Sequence, residues 1–146
     1  MRRFMVILGW VAAMACWTAP SSAADAPDVP AGDVRGVRAV IQAQFDAFAA
    51  DDAKRAFSFA TPKLREAFGN ADNFIELVRS AYPVVYRHAT VAFLKPELVD
   101  RALLQGVHLT DAQGVLWLAM YRMERQRDRS WLIGACQMVP TRGQVA

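Results

Sequence analysis

Residues 114–139 run Gly114-Val115-Leu116-Trp117-Leu118-Ala119-Met120-Tyr121-Arg122-Met123-Glu124, then a polar loop, then Ser130-Trp131-Leu132-Ile133-Gly134-Ala135-Cys136-Gln137-Met138-Val139. Two apolar runs of strand length joined by a short polar segment predict a β-hairpin. Alternation within them is incomplete. Trp117, Ala119, Tyr121 and Met123 make one face, and Leu116, Leu118 and Met120 an almost equally apolar other. The final run repeats this, with Trp131, Ile133 and Ala135 set against Leu132, Cys136 and Met138. A sheet with one wet face alternates cleanly, so both faces are expected to be covered, one by helices and the other by a second copy.

Working backwards, Val84 to Lys95 and Leu98 to Leu109 are also rich in Val, Leu, Tyr and Phe, and Asp111-Ala112-Gln113-Gly114 reads as a turn. Three or four strands of eight to eleven residues are therefore expected after Pro83. Before it the period is helical. Val37, Ile41, Gln44, Phe45 and Phe48 recur at three- and four-residue spacing, predicting an amphipathic helix from about Val34 to Ala50. Asp51-Asp52 breaks it and caps a short helix over Ala53–Ala60. Thr61-Pro62 restarts the chain with an N-cap and a proline at the first helical position. A further helix carries Phe74, Leu77, Val78 and Ala81 on one face, with Asn73 and Glu76 spaced as a capping box. Helices segregated ahead of an antiparallel sheet define an α+β fold.

The first 24 residues stand apart. Met1-Arg2-Arg3, an apolar run from Phe4 to Trp17, and small residues up to Ala24 have the order of a cleaved export signal. The run is about 14 residues, short of the roughly 20 that cross a bilayer as a helix. A periplasmic or secreted location follows as the expectation, with no membrane span after cleavage. Lipidation at Cys16 is the less favoured variant, because Ala13 and Met14 depart from a lipoprotein box. Asp25–Asp33, rich in Pro, Gly and Asp, is expected to be a disordered linker, 34–139 a single domain, and 140–146 a flexible tail.

Removal of the signal also alters the charge balance. The whole chain has 17 basic and 14 acidic residues, a net +3. Without Arg2 and Arg3 the count is 15 against 14, net +1, which offers little drive toward nucleic acid. Cys16 leaves too, so Cys136 is the sole remaining thiol and no intramolecular disulfide is expected.

Gln44-Phe45-Asp46-Ala47-Phe48, Asp51-Asp52, Ala56-Phe57-Ser58-Phe59-Ala60-Thr61-Pro62, Phe68, Phe74, Tyr82-Pro83-Val84, Gln105 and Ser130-Trp131-Leu132-Ile133-Gly134 resemble the bacterial family called domain of unknown function 4864. The resemblance runs from about Val34 to Val139. It implies a branch of the nuclear-transport-factor-2-like, cystatin-like cone folds, with any ligand held between the helices and the concave face of the sheet. It supplies no catalytic residue, since that superfamily hosts dehydratases, isomerases, dimerisation modules and transport factors alike.

Candidate chemistry is sparse. Asp46, beside Phe45 on a helix, could serve as a buried general base of the kind isomerases of this fold use, with Tyr82, Tyr86 or His88 as its partner. Against that stand a solvated helix face for Asp46 and a packing role for His88, which is placed on a strand. His88 and His108 have no companions at metal-ligand spacing, so no metal or cofactor is expected. Cys136 reads as a packing residue, and the Arg122, Arg125, Arg127, Arg129 cluster as a solvated hairpin tip. Tyr82, Tyr86, Gln105, Tyr121, Trp131 and Gln137 are the groups placed to line a cone pocket. The expectation is a non-catalytic module that binds a small apolar ligand or a protein. A small lyase or isomerase using Asp46 and a purely structural homodimer are the alternatives.

Overall fold

A computed structural model describes residues 28–139 and 141. The expected signal, the Cys16 box, residues 25–27 of the expected linker and most of the expected tail lie outside the described residues. The element order is α1 (Ala31–Ala49), α2 (Ala53–Ser58), α3 (Pro62–Phe68), α4 (Ala71–Ala81), α5 (Pro83–Tyr86), β1 (Thr90–Phe93), β2 (Glu97–Val99), β3 (Ala102–Thr110), β4 (Leu116–Arg125) and β5 (Trp131–Val139). Helices precede one antiparallel sheet ordered β1-β3-β4-β5, with β2 also paired to β3. The α+β class holds.

Helix α1 lies directly on the sheet. Val37, Ile41, Gln44, Phe45 and Phe48, the stripe expected from spacing, are all buried, and Ala47 joins them. Each large apolar side chain so placed stabilises the fold by about 1.5–3 kcal/mol. Opposite them, Leu103, Val107 and Leu109 of β3, Ala119, Tyr121 and Met123 of β4, and Trp131 and Ile133 of β5 complete the core. Trp131 seats on α1 at Gly36, where an added Cβ would meet its ring at 3.1 Å.

Several boundaries differ from the sequence reading, each for a local reason. The helix begins at Ala31, three residues inside the expected linker: Pro30 is its N-cap, and the Asp33 carboxylate, in the first turn, pairs with Arg125 at 3.2 Å. An acid in that position suits the positive end of the helix. Helix α4 is capped not by Asn73 but by Asn70, whose side chain accepts from the Asn73 N–H at 2.8 Å. Glu76 faces solvent near Arg79 instead, 3.9 Å away. Pro83 ends α4 as expected, yet it then occupies the first turn of α5, so Val84–Tyr86 are helical and β1 starts only at Thr90. A proline that stops one helix is well formed to start the next.

The 98–109 run is likewise not one strand. Asp100 and Arg101 both adopt positive φ (46° and 65°) and make a two-residue turn between β2 and β3. Primed turns of this kind match strand twist, and aspartate tolerates them better than most side chains. The Asp111–Gly114 turn forms as read, with the Gly114 N–H donating to the Asp111 carbonyl at 3.0 Å and Gly114 at φ 80°.

The closing hairpin carries the correction of most consequence for the interior. Arg122 pairs with Ala135 but Met123 pairs with Ile133, so Gly134 is an extra residue in β5. A β-bulge reverses the side-chain phase beyond it. Trp131 and Ile133 face inward before the bulge, whereas after it Cys136 and Met138 stand opposite the inward residues Tyr121 and Ala119. Ala135, grouped with Trp131 and Ile133 by simple alternation, is exposed. Gly134 itself leaves room for Glu124, whose carboxylate carbon a Cβ would approach to 2.7 Å.

Candidate functional site

Helix α3 touches the sheet at β5, and α4 rests on other helices. Helix α3 buries no residue, and the apolar side of α4 meets α2 and α1 before it meets the strands. The space left is a cavity of about 200 Å³. Its roof comes from helical repeats: Gln44 and Phe48 one turn apart on α1, Leu64 and Phe68 one turn apart on α3, and Phe74, Leu77 and Val78 on one side of α4. Tyr82 and Val85 close one end. The floor is Tyr121, Ile133, Ala135 and Cys136. Phe74 anchors the wall, with ring centroids 5.2 Å from Phe68, 5.5 Å from Phe57 and 6.0 Å from Phe48. The first of these contacts is edge-on, a favoured aromatic geometry.

Polar atoms here are few. Gln44 is buried and its Nε2 donates to the Ala56 carbonyl at 3.0 Å. The Tyr121 side chain is 1% exposed and its hydroxyl has no hydrogen-bond partner. Its cross-strand neighbour is Cys136. The two groups are close enough to affect each other's ionisation, although their geometry falls outside that of an ordinary hydrogen bond. Burial pushes the Tyr121 phenol well above its ordinary range. Burial also lifts the Cys136 thiol to about 11, with the Tyr121 hydroxyl opposing the shift. Both stay neutral and protonated at ordinary pH, so neither is a nucleophile there. No charged residue lines the cavity.

The candidates named from sequence divide sharply. Tyr82 and Tyr121 line the cavity. Trp131 lies elsewhere, beneath Arg125, whose guanidinium stacks on it at 5.3 Å, in a separate surface cleft with Leu98 and Leu103. Gln105 is fully buried, and its Nε2 donates to the carbonyls of Leu94 at 2.7 Å and Gly106 at 2.8 Å, holding the β1–β2 connection. Gln137 is exposed on the opposite sheet face, across from Met120. Tyr86 is buried between the guanidinium groups of Arg79 (5.1 Å) and Arg87 (4.6 Å), and its hydroxyl donates to Asp51. That hydrogen bond, with Arg87 and Arg79 beside it, holds the Asp51 carboxyl below its usual range. Asp52, not Asp51, caps α2.

Asp46 is exposed, accepts from Gln42 Nε2 at 3.0 Å and does not line the cavity. His88 lies in the loop between α5 and β1, not on a strand, with its ring edge-on to Phe45 at 4.7 Å and its Nδ1 buried without a partner. Burial lowers its pKa, opposed by the nearby Val85 and Val84 backbone and the charge of Asp46. Asp46 and His88 thus sense each other but form no hydrogen bond, and the pair stands outside the cavity. Among the described residues no three His, Cys, Asp or Glu side chains converge as a metal site would require, and no helix is long and apolar enough to cross a membrane.

Gln44, Leu64, Phe68 and Cys136 are among the lining residues that were not named as pocket residues from sequence. Their signal was present in part, as the Leu64–Phe68 spacing, but Cys136 depends on the bulge.

A family model described as a domain of unknown function, DUF4864, matches residues 31–146. The chain belongs to the DUF4864 family. The match begins at the first residue of α1, so the DUF4864 unit contains every element that builds the cavity. No curated protein and no solved structure matches the chain.

Proposed function

We propose that this DUF4864 domain is a non-catalytic binding module that holds one small, uncharged, largely apolar molecule between α3–α4 and the β4–β5 hairpin. One observation carries the reading: a cavity of about 200 Å³ walled by aromatic and aliphatic side chains, with no charged residue on it. A dry apolar cavity of roughly 150 Å³ admits a benzene ring. A single substituted ring is therefore the scale of ligand expected. The placement accords with a cone of the nuclear-transport-factor-2-like kind, in which the helices and the inner sheet face enclose the ligand. An Asp46 lyase is not favoured, because its carboxylate lies in solvent away from the cavity.

Toluene tests the reading. It should raise the melting temperature of the domain in a saturable way, and Leu64→Trp, which fills the cavity from a half-buried position, should abolish the rise. No shift in the unsubstituted protein would remove the proposal.

A second reading concerns the other sheet face. Leu104, Leu118, Met120 and Leu132 are only half-buried there, and no described helix crosses them. Arg122 and Glu124 lie on that face 3.7 Å apart, so it carries both charge signs, and a two-fold axis would set the same patch against itself. The occupant proposed is a second copy of this chain. Leu118→Asp should then halve the mass measured by light scattering, and a mass equal to the monomer before substitution would refute it. Export, supported by the order of residues 1–24, belongs to the same reading. It would be refuted by finding the protein unprocessed in the cytoplasm.

A further inference from the structure

Tyr82 is a wall of two spaces. One is the cavity between α3–α4 and the β4–β5 hairpin, and the other is a groove of about 330 Å³ between the α4–α5 junction and the β3–β4 turn. Floor and roof run on from one to the other. Cys136 floors the cavity and Met138 the groove, and past the bulge both stand on one face of β5, opposite Tyr121 and Ala119. Alternate residues of a strand lie roughly 7 Å apart, so the two floors adjoin. Overhead, α4 supplies Val78 to the cavity and Ala81, three residues on, to the groove. Helix α5 divides in the same way, Val85 to the first and Val84 to the second.

The groove presents less charge than its residues suggest. Asp111 is taken up by its own turn, accepting from the Trp117 indole N–H at 3.1 Å and from the Gln113 and Val115 backbone N–H groups at 2.9 and 3.0 Å. Arg87 donates to the Phe48 carbonyl and to Asp51, and its guanidinium stacks on Tyr86. What is left is the rings of Tyr82, Pro83 and Trp117 and the thioether of Met138. The bond to Asp111 orients the half-buried Trp117 indole. An oriented aromatic wall beside an adaptable methionine suits an apolar chain.

Resting on the binding role just proposed, we infer that the ligand is longer than its ring: the ring occupies the cavity, and an uncharged apolar tail passes Tyr82 to lie in the groove along Trp117 and Met138. A charged tail would compete with hydrogen bonds that Asp111 and Arg87 already make. Toluene fills only the inner part of such a site.

Hexylbenzene and toluene separate this inference from the binding role on which it rests. Each methylene moved from water into an apolar site is worth about fourfold in affinity. Titration calorimetry on the unsubstituted protein should show hexylbenzene bound at least about tenfold more tightly than toluene. Ala81→Trp fills the groove from an exposed position outside the cavity, and should cut that preference to about threefold or less while toluene still binds. The Trp117 indole N–H resonance gives an independent reading, moving with hexylbenzene and not with toluene. A smaller preference in the unsubstituted protein, one that Ala81→Trp leaves unchanged, or a Trp117 resonance unmoved by hexylbenzene would overturn the inference and leave the inner cavity standing. Failure of both compounds to bind the unsubstituted protein would overturn the inference and the binding role together.

Discussion

Helix α1 and the α3–α4 pair meet the same sheet in opposite ways. The first presses Val37, Ile41 and Phe45 onto it with 0–2% exposure, and the others stand off and leave a cavity. Stability is thus concentrated under α1, and the apolar cavity lies on the α3–α4 side. The cause is visible in the chain: α1 is 19 residues with a continuous apolar stripe, while α3 is seven residues with only Leu64 and Phe68 to offer. A short, weakly anchored helix over a void can adapt to what the void holds.

The contrast can be broken by truncation. Ile41→Ala should cost about 2–5 kcal/mol of unfolding free energy in urea, whereas Leu77→Ala, at a position 41% exposed on the cavity side, should cost about 1 kcal/mol or less. Similar costs at both positions would mean the two sides are equally load-sharing. Next in size is a gain. Tyr121→Phe should stabilise the ligand-free protein by about 1–2 kcal/mol, since it deletes a buried hydroxyl that pairs with nothing; a loss would show that the phenol has a partner.

Alkaline titration sharpens the same side. The folded state holds Cys136 at about 11 against a usual thiol value near 9, so the stability from its neutral form is complete below the lower value and lost as pH rises through the upper one. About 1 kcal/mol should have gone by pH 10, and Cys136→Ala should flatten that part of the curve. Tyr121 contributes loss of the same sign at higher pH. An unchanged slope would place the thiol in water. The smallest effect concerns how α4 is held over the void: Asn70→Ala removes its N-cap and should cost about 1 kcal/mol or slightly less, seen as a lower urea midpoint with unchanged m-value.

What was legible in the sequence follows the same division. The α1 stripe, the Thr61-Pro62 restart, the Asp111–Gly114 turn and the α+β order could all be read, because each is a local pattern of spacing or turn chemistry. The cavity could not, because it depends on which elements fail to touch. Tyr82 and Tyr121, named as aromatic groups with a polar end, lie on the cavity. Trp131 lies elsewhere: a tryptophan in an apolar strand gives no sign that Gly36, 95 positions earlier, will receive its ring. Cys136 turned inward because of one extra residue at Gly134, and simple alternation cannot register a bulge. Pro83 carried two meanings, stop and start, and only the first was taken.

The central claim is that a ligand cavity lies between α3–α4, the C-terminal end of α1 and the β4–β5 hairpin, and not beneath the N-terminal half of α1. Amide chemical-shift mapping during a toluene titration tests it most directly. Saturable shifts confined to residues around Phe68, Phe74, Val78 and Cys136, with Val37 and Ile41 unmoved, are the predicted result. Shifts that never saturate, or that centre on Val37 and Ile41, would contradict it.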